Sequence, residues 1–420
     1  MIDLLSTTAR VETPFIIATL GDVSFGIYSK ETREILNSSS GYTELISTYP
    51  NFVQSLQVDK INGTINTYTL NLIYAIRPGD DPNLIDKVLS KISKDRTIKL
   101  SYGDLSLPTF IYKEEEAIVS KVRTQVNMAS STISYTLTCT SKALSTAAGT
   151  YTFPKRQAKP SDVIKELLYD NNYGLLEVFY GMIDKELVAS KGLIAGDDKV
   201  TTIEAKKSIS LFDYLNYLVS CMVYIGDEPS GVIKSSRYTI TVIDDTTGVF
   251  NGPYFKIVRV TNSVSEYNLA DMYEIDIGYP SKDIVLSFSI DDDETYSILL
   301  DYSEKIKQPN FIYRINNQGE IESEYSPALS NSSALMKTTT ADKTWWTQLT
   351  QYPITATLTL KGLLRPAVLM NKIKIKVLFY GKKHYASGIY IITKQTDNIS
   401  SDGYRTTLKL LKIQGDNYDN

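Results

Sequence analysis

The chain has 420 residues, 44 basic and 48 acidic side chains (net charge −4), and only 1 histidine and 2 cysteines. That length predicts two or three domains, with cores large enough to need no disulfide or metal. The slightly acidic balance gives no support to DNA or anionic membrane binding, and the residue scarcity excludes zinc clusters and any histidine-bearing triad not built on His384.

The opening MIDLLSTTARVETPFIIATLG lacks a basic start followed by an apolar core, so no secretory signal is expected. No stretch approaches 18 uncharged apolar residues, so no spanning helix is expected either. Tyrosine is unusually common, with 30 copies beside 12 phenylalanines and 2 tryptophans. It suits strands and interfaces, because a large apolar ring carries a polar tip.

In chain order, period-two alternation dominates. YTLNLIY (68–74) is the first clear run, and Asp81-Pro82 then opens a helix with Leu84, Ile85, Val88, Leu89 and Ile92 on one stripe. TIKLSYGD (97–104) and TFIYKEEEAI (109–118) follow, then SSTISYTLTCT, where Ile133, Tyr135, Leu137 and Cys139 share one face. The stretch AAGTYTFPKRQAKPSD (147–162) has the glycine, proline and basic content of a connection. Pro160 opens a second helix carrying Val163, Ile164, Leu167 and Leu168. Ser210 and Asp213 form a capping box for a third, which presents Leu215, Leu218, Val219 and Met222. Strand patterns resume at RYTITVI (237–243), IVLSFSI (284–290) and TATLTLK (355–361), with an irregular insertion between. KIKIKVLF (372–379) puts Ile373, Ile375, Val377 and Phe379 inward and Lys372, Lys374 and Lys376 outward.

Such alternation means strands with one wet face, hence antiparallel sheets or barrels. The expected fold is mainly β with a few helices. Two similar β domains, at 1–150 and 266–420, are expected to flank an α+β middle region at 151–265. The second carries the irregular insertion at about 304–345.

Side chains with chemistry in reach are few. His384, in YGKKHYASG, has no second histidine or spaced carboxylate near it and reads as a solvated loop residue. The run Asp291-Asp292-Asp293-Glu294 lacks the alternating spacing of a calcium loop and reads as a polar turn. Asp80-Asp81 precedes Pro82, where a helix cap belongs. Trp345-Trp346 is read as packing or interface, the alternative being a glycan-stacking pair. Lys372, Lys374 and Lys376 form a basic strip that faces solvent, an acidic partner or a bore. No phosphate-cradling or nucleophile-elbow motif is present, so no enzyme is expected and no catalytic, cofactor-binding or metal-ligating residue is assigned.

The chain also contains a repeat. TIKLSYGD, TFIYKEEEAI and TISYTLTCT are matched late by KIKVLFYGK, SGIYIITKQT and YRTTLKLLKI. In each set a strand ends in Tyr-Gly (Tyr102-Gly103, Tyr380-Gly381), and Ile-Tyr follows nine residues on (Ile111-Tyr112, Ile389-Tyr390). One three-stranded unit used twice is the reading.

Residues 356–413, ending in Gly403-Tyr404-Arg405-Thr406, resemble the closing barrel of the baseplate hub family of contractile-tailed bacteriophages and related injection machines. The 68–140 region resembles the matching first barrel, and SLFDYLNYLVSCMVYIGD (210–227) resembles the helix such hubs place between barrels. The resemblance implies that 1–150 and 266–420 are two similar tube-type antiparallel β-barrel domains, and that the chain is a structural homotrimer whose two barrels per chain form a pseudo-sixfold ring. It also implies a tail tube protein or tube initiator above and a spike protein below, with baseplate wedge or tape-measure proteins as neighbours. Other implications are a central passage for DNA, a place in the virion tail baseplate and synthesis in the host cytoplasm. No cofactor and no membrane binding by the free chain are expected, and no fused module is expected after the last strand. The alternative is a β-rich carbohydrate-binding or carbohydrate-cleaving tail protein, drawing on Trp345-Trp346 and the many carboxylates.

Overall fold

The structure is a computed structural model. It describes residues 14–27, 49–50, 52–79, 83, 89–104, 112–169, 200–227, 233–244, 254–261, 271–277, 285–292, 311–315, 321–325, 354–362, 369 and 372–415. The early strands are β1 (Pro14–Leu20), β2 (Val23–Ile27), β3 (Tyr49–Pro50), β4 (Val53–Ile61), β5 (Thr67–Ala75), β6 (Thr97–Asp104), β7 (Tyr112–Asn127) and β8 (Thr132–Ser141). The middle region holds β9 (Thr150–Phe153), β10 (Arg156–Ala158), helix α1 (Pro160–Tyr169), β11 (Thr201–Ile203), β12 (Lys206–Ser210) and helix α2 (Leu211–Cys221). It continues with β13 (Val223–Asp227), β14 (Ile233–Ile243) and β15 (Tyr254–Thr261). The late strands are β16 (Asp271–Ile277), β17 (Val285–Asp292), β18 (Phe311–Ile315), β19 (Ile321–Tyr325), β20 (Ile354–Lys361), β21 (Lys372–Phe379), β22 (Lys382–Lys383), β23 (Gly388–Ser400) and β24 (Gly403–Gly415).

Fifteen strands share one sheet system. Its main path runs β17-β20-β24-β23-β4-β5-β8-β7-β6-β1-β2-β3, and β21 branches off β23 carrying β16 and β22. Mainly β with few helices is the fold class observed. Most pairings are antiparallel, as alternation predicts; β16–β21 and β2–β3 are parallel.

Alternation converts into three cores. Tyr68, Leu70, Leu100, Tyr102, Leu137 and Cys139 anchor one inside the early strands. Leu358, Ile375, Tyr390 and Leu408 anchor another inside the late strands. The helices build the third: Ser210 Oγ accepts from the Asp213 amide at 3.0 Å and caps α2, whose Leu215, Leu218 and Val219 bury beside Val163 and Ile164 of α1. Phe153 and Tyr214 stack at 3.6 Å between ring centroids, tying β9 to α2. The 147–162 stretch therefore carries β9, β10 and the start of α1, with β9 paired to β12 and β10 to β11.

The strip on β21 differs from its expectation. Lys372 is only 2% exposed, and Lys376 Nζ lies 3.2 Å from Glu274 Oε2. The reason is that β21 is not an edge: β16 flanks it on one side and β23 on the other. Phe379, expected inward, is 52% exposed, because β23 pairs β21 only from Lys372 to Ile375. The helix expected over 82–92 falls largely outside the described residues, although Leu89 and Ile92 pack on the early core. Of the 304–345 insertion, only the β18–β19 hairpin is described.

Candidate functional site: strand edges and the seam between them

The early and late strands are one block built twice. The early block is ordered β4-β5-β8-β7-β6 and the late block β17-β20-β24-β23-β21, with every neighbour antiparallel in both. Each has a bulge at the start of its first strand, between Val53 and Ser55 and between Val285 and Ser287. Each has another in its long strand, at Ser120 in β7 and Thr393 in β23. Both sit seven residues before the last paired residue, Asn127 or Ser400. Both bulge hydroxyls donate across the ladder, Ser120 to the Thr138 carbonyl at 2.9 Å and Thr393 to the Lys409 carbonyl at 3.1 Å. Bulges of this kind set twist and register.

The registers also fix which residues correspond. Val53, Ser55, Leu56, Val58 and Asp59 match Val285, Ser287, Phe288, Ile290 and Asp291. Thr67, Thr69, Leu70 and Leu72 match Thr355, Thr357, Leu358 and Leu360. The Tyr-Gly pairs do not correspond: Tyr102 is buried within β6, whereas Tyr380 sits in the turn after β21 at φ 49°. The repeat stands, but its equal nine-residue offset is a coincidence of spacing. The hairpin patterns V-x-S-[LF]-x-[VI]-D and T-x-T-L-x-L were the signal that could have found the true register.

The blocks join through β23. Its first residues, Gly388 to Ile391, pair β21; its last, Lys394 to Ser400, pair β4 antiparallel from Ile61 to Ser55. On the outer face Thr396 Oγ1 donates to Asp59 Oδ1 at 2.7 Å, and Lys394 Nζ lies 3.4 Å from the same oxygen. On the inner face Gln395 and Asp397 are fully buried, and Asp397 accepts from Gln395 at 2.7 Å and from Thr406 at 2.6 Å. The Lys60 ammonium pairs with the buried Glu115 carboxylate close by in the same block. Buried charges that are paired and hydrogen-bonded tolerate few alternative alignments, so this network favours one register. Burial pushes the Tyr102 and Tyr404 phenols beside it well above their usual range.

A second polar anchor ties the early block to the middle region. Asp244, just past β14, accepts from Asn66 at 2.9 Å, from Tyr68 at 2.8 Å and from the Ser141 hydroxyl. Burial raises this carboxyl to about 6, despite the hydrogen bonds that favour its charged form.

Among the described residues, the chemistry-bearing side chains singled out by sequence do not converge. His384 Nδ1 accepts from the Ala386 amide at 3.3 Å within its own turn, beside the Tyr385 ring. Neither cysteine forms a disulfide among the described residues, and burial pushes the Cys139 thiol up to about 12. Asp291 and Asp292 end β17 as strand residues. Asp80, Asp81, Asp293, Glu294, Trp345 and Trp346 lie outside the described residues. No group of three or more metal-ligating side chains occurs among the described residues.

Sequence comparison finds no matching family model and no matching curated protein. Solved structures are similar in fold across nearly the whole chain. A tail protein from Neisseria meningitidis MC58 matches at TM-score 0.48 and 10% identity, over 95% of this chain and 97% of that one. The 43 kDa tail protein of prophage MuSo2 from Shewanella oneidensis matches at TM-score 0.48 and 8% identity, over 96% and 100%. The E. coli c3393 protein is described as a type VI secretion component similar to the T4 tail proteins gp27 and gp5. It matches at TM-score 0.42 and 7% identity, over 87% and 75%.

Proposed function

We propose that this chain is a structural hub of a phage-type tail baseplate. Three copies close into a ring of six similar blocks, which joins a sixfold tail tube above to a threefold spike below and surrounds the passage for DNA. The observation that supports it most is the doubled block: five strands in the same order with the same two bulges, already joined edge to edge within one chain. A chain with two equivalent blocks gives a trimer six equivalent positions, so each symmetry is met without distorting either contact. The work is geometric, and no residue acts as a catalyst. The chain is made in the host cytoplasm and ends in the virion.

Native mass with negative-stain imaging tests this reading. A species near three times 47.1 kDa with a ring-like, pseudo-sixfold view is expected. A chain that remains monomeric both alone and with its spike would overturn it.

A further inference from the structure

The β23–β4 seam covers one edge of each block and, among the described residues, leaves the equivalent edges bare. By the shared register, residues 121–127 of β7 correspond to residues 394–400 of β23. Yet β7 pairs β6 only from Tyr112 to Ile118, so the outer edge of 121–127 has no strand beside it among the described residues. Likewise β17 corresponds to β4 but, among the described residues, pairs only β20.

Burial marks both edges as uncovered. Val126 is 56% exposed, whereas its counterpart Ile399 is 1% exposed. Phe288 and Ile290 are half-buried, whereas their counterparts Leu56 and Val58 are fully buried. Ile76 and Met128 are exposed beside Val126 at the end of the β7–β8 hairpin, where the Ile76 amide donates to the Ser131 carbonyl. Bare, partly apolar edges of this kind invite strand addition.

The charges on the two edges are complementary. In the existing seam Asp59 lies opposite Thr396 and meets Lys394. Carried over residue by residue, Asp291 replaces Asp59, Lys121 replaces Lys394 and Arg123 replaces Thr396. One carboxylate would then face two cations, with an arginine directly opposite.

We propose that residues 121–127 of β7 in one copy pair antiparallel with β17 of the next copy. Arg123 lies opposite Asp291, Gln125 opposite Ser289 and Val126 opposite Phe288. This repeats between chains the seam that β23 and β4 make within one. The inference rests on the ring reading and names the strands that close the ring.

The test uses the full chain with Gln125→Cys and Ser289→Cys, both at exposed strand positions. Mild oxidation should give covalent dimers and trimers that reductant dissolves, because directly paired strand residues lie within disulfide reach. The shifted pair Gln125→Cys with Asp291→Cys should cross-link at least tenfold less. Separately, Arg123→Asp and Asp291→Arg should each weaken assembly about tenfold, and the double variant should restore it. A native trimer that does not cross-link, or that cross-links equally through the shifted pair, overturns the pairing and leaves the ring reading standing. A chain with no assembled species at any concentration, alone or with its spike, overturns both.

Discussion

The two blocks share a strand order yet differ in what they bury. At matched positions on the inner face of the long strand, the late block places Gln395, Asp397 and Ile399, all buried under β4. The early block places Val122, Thr124 and Val126, which range from half-buried to exposed. The early block alone also holds Asp244, through Asn66, Tyr68 and Ser141; the matched positions are Ile354, Ala356 and Lys412, which offer no such set of donors. The difference teaches that duplication preserved the ladder and the bulges, while the side chains diverged according to which neighbour covers each edge.

The sharpest way to break this comparison is to unpair the buried network. Asp397→Ala leaves the Gln395 amide and Thr406 hydroxyl without their acceptor and should cost about 3 kcal/mol of stability. Thr124→Ala, at the matched position of the early block, should change stability by less than about 0.5 kcal/mol in the free chain. Urea unfolding of both variants measures this, and equal losses would dissolve the distinction between the two edges.

The next effect is pH-dependent and belongs to the early block only. Burial raises the Asp244 carboxyl from 3.8 to about 6, so between those values the folded chain keeps a proton that the unfolded chain has released. Stability from this group is therefore fully present below about pH 4 and is lost as pH rises to about 6, by up to about 3 kcal/mol. Asp244→Asn should flatten the unfolding profile across that window, even if it lowers stability throughout. A profile with the same slope in the variant would assign the effect to another group.

The smallest effect should be symmetric. Ser120→Ala and Thr393→Ala each remove one hydroxyl bond across a bulge and should each cost about 1 kcal/mol. Similar losses from both, read from thermal unfolding, would support equal roles for the two bulges. A neutral change at one of them would show that its ladder holds register without the hydroxyl.

Much of this architecture was legible in the residues. Alternation at 132–140 and 355–361 gave the strands, because burial on one face selects side chains at period two. Ser210 and Asp213 gave the start of α2, since capping is local chemistry. The repeat was visible, although its register was misread at Tyr102 and Tyr380, where similar dipeptides sit in a strand and in a turn. The anchor at Asp244 had no sequence signal, because its partners Asn66 and Tyr68 are more than 170 residues away. The burial of Lys372 had no sequence signal either, since alternation along its own strand placed it outward. The edges left uncovered among the described residues were equally silent, since an uncovered strand and a covered one carry the same pattern.

The long span of the seam also bears on how the chain is made. Ile61 meets Lys394 at a separation of 333 positions, so β4 leaves the ribosome well before the strand that will cover it. At ordinary elongation speeds the early block waits on the order of 20–70 s with that flank open. Asp59 and Lys60 lie on it, and charges there discourage pairing with a neighbouring nascent chain. The residues that later lock the seam thus also guard it during synthesis.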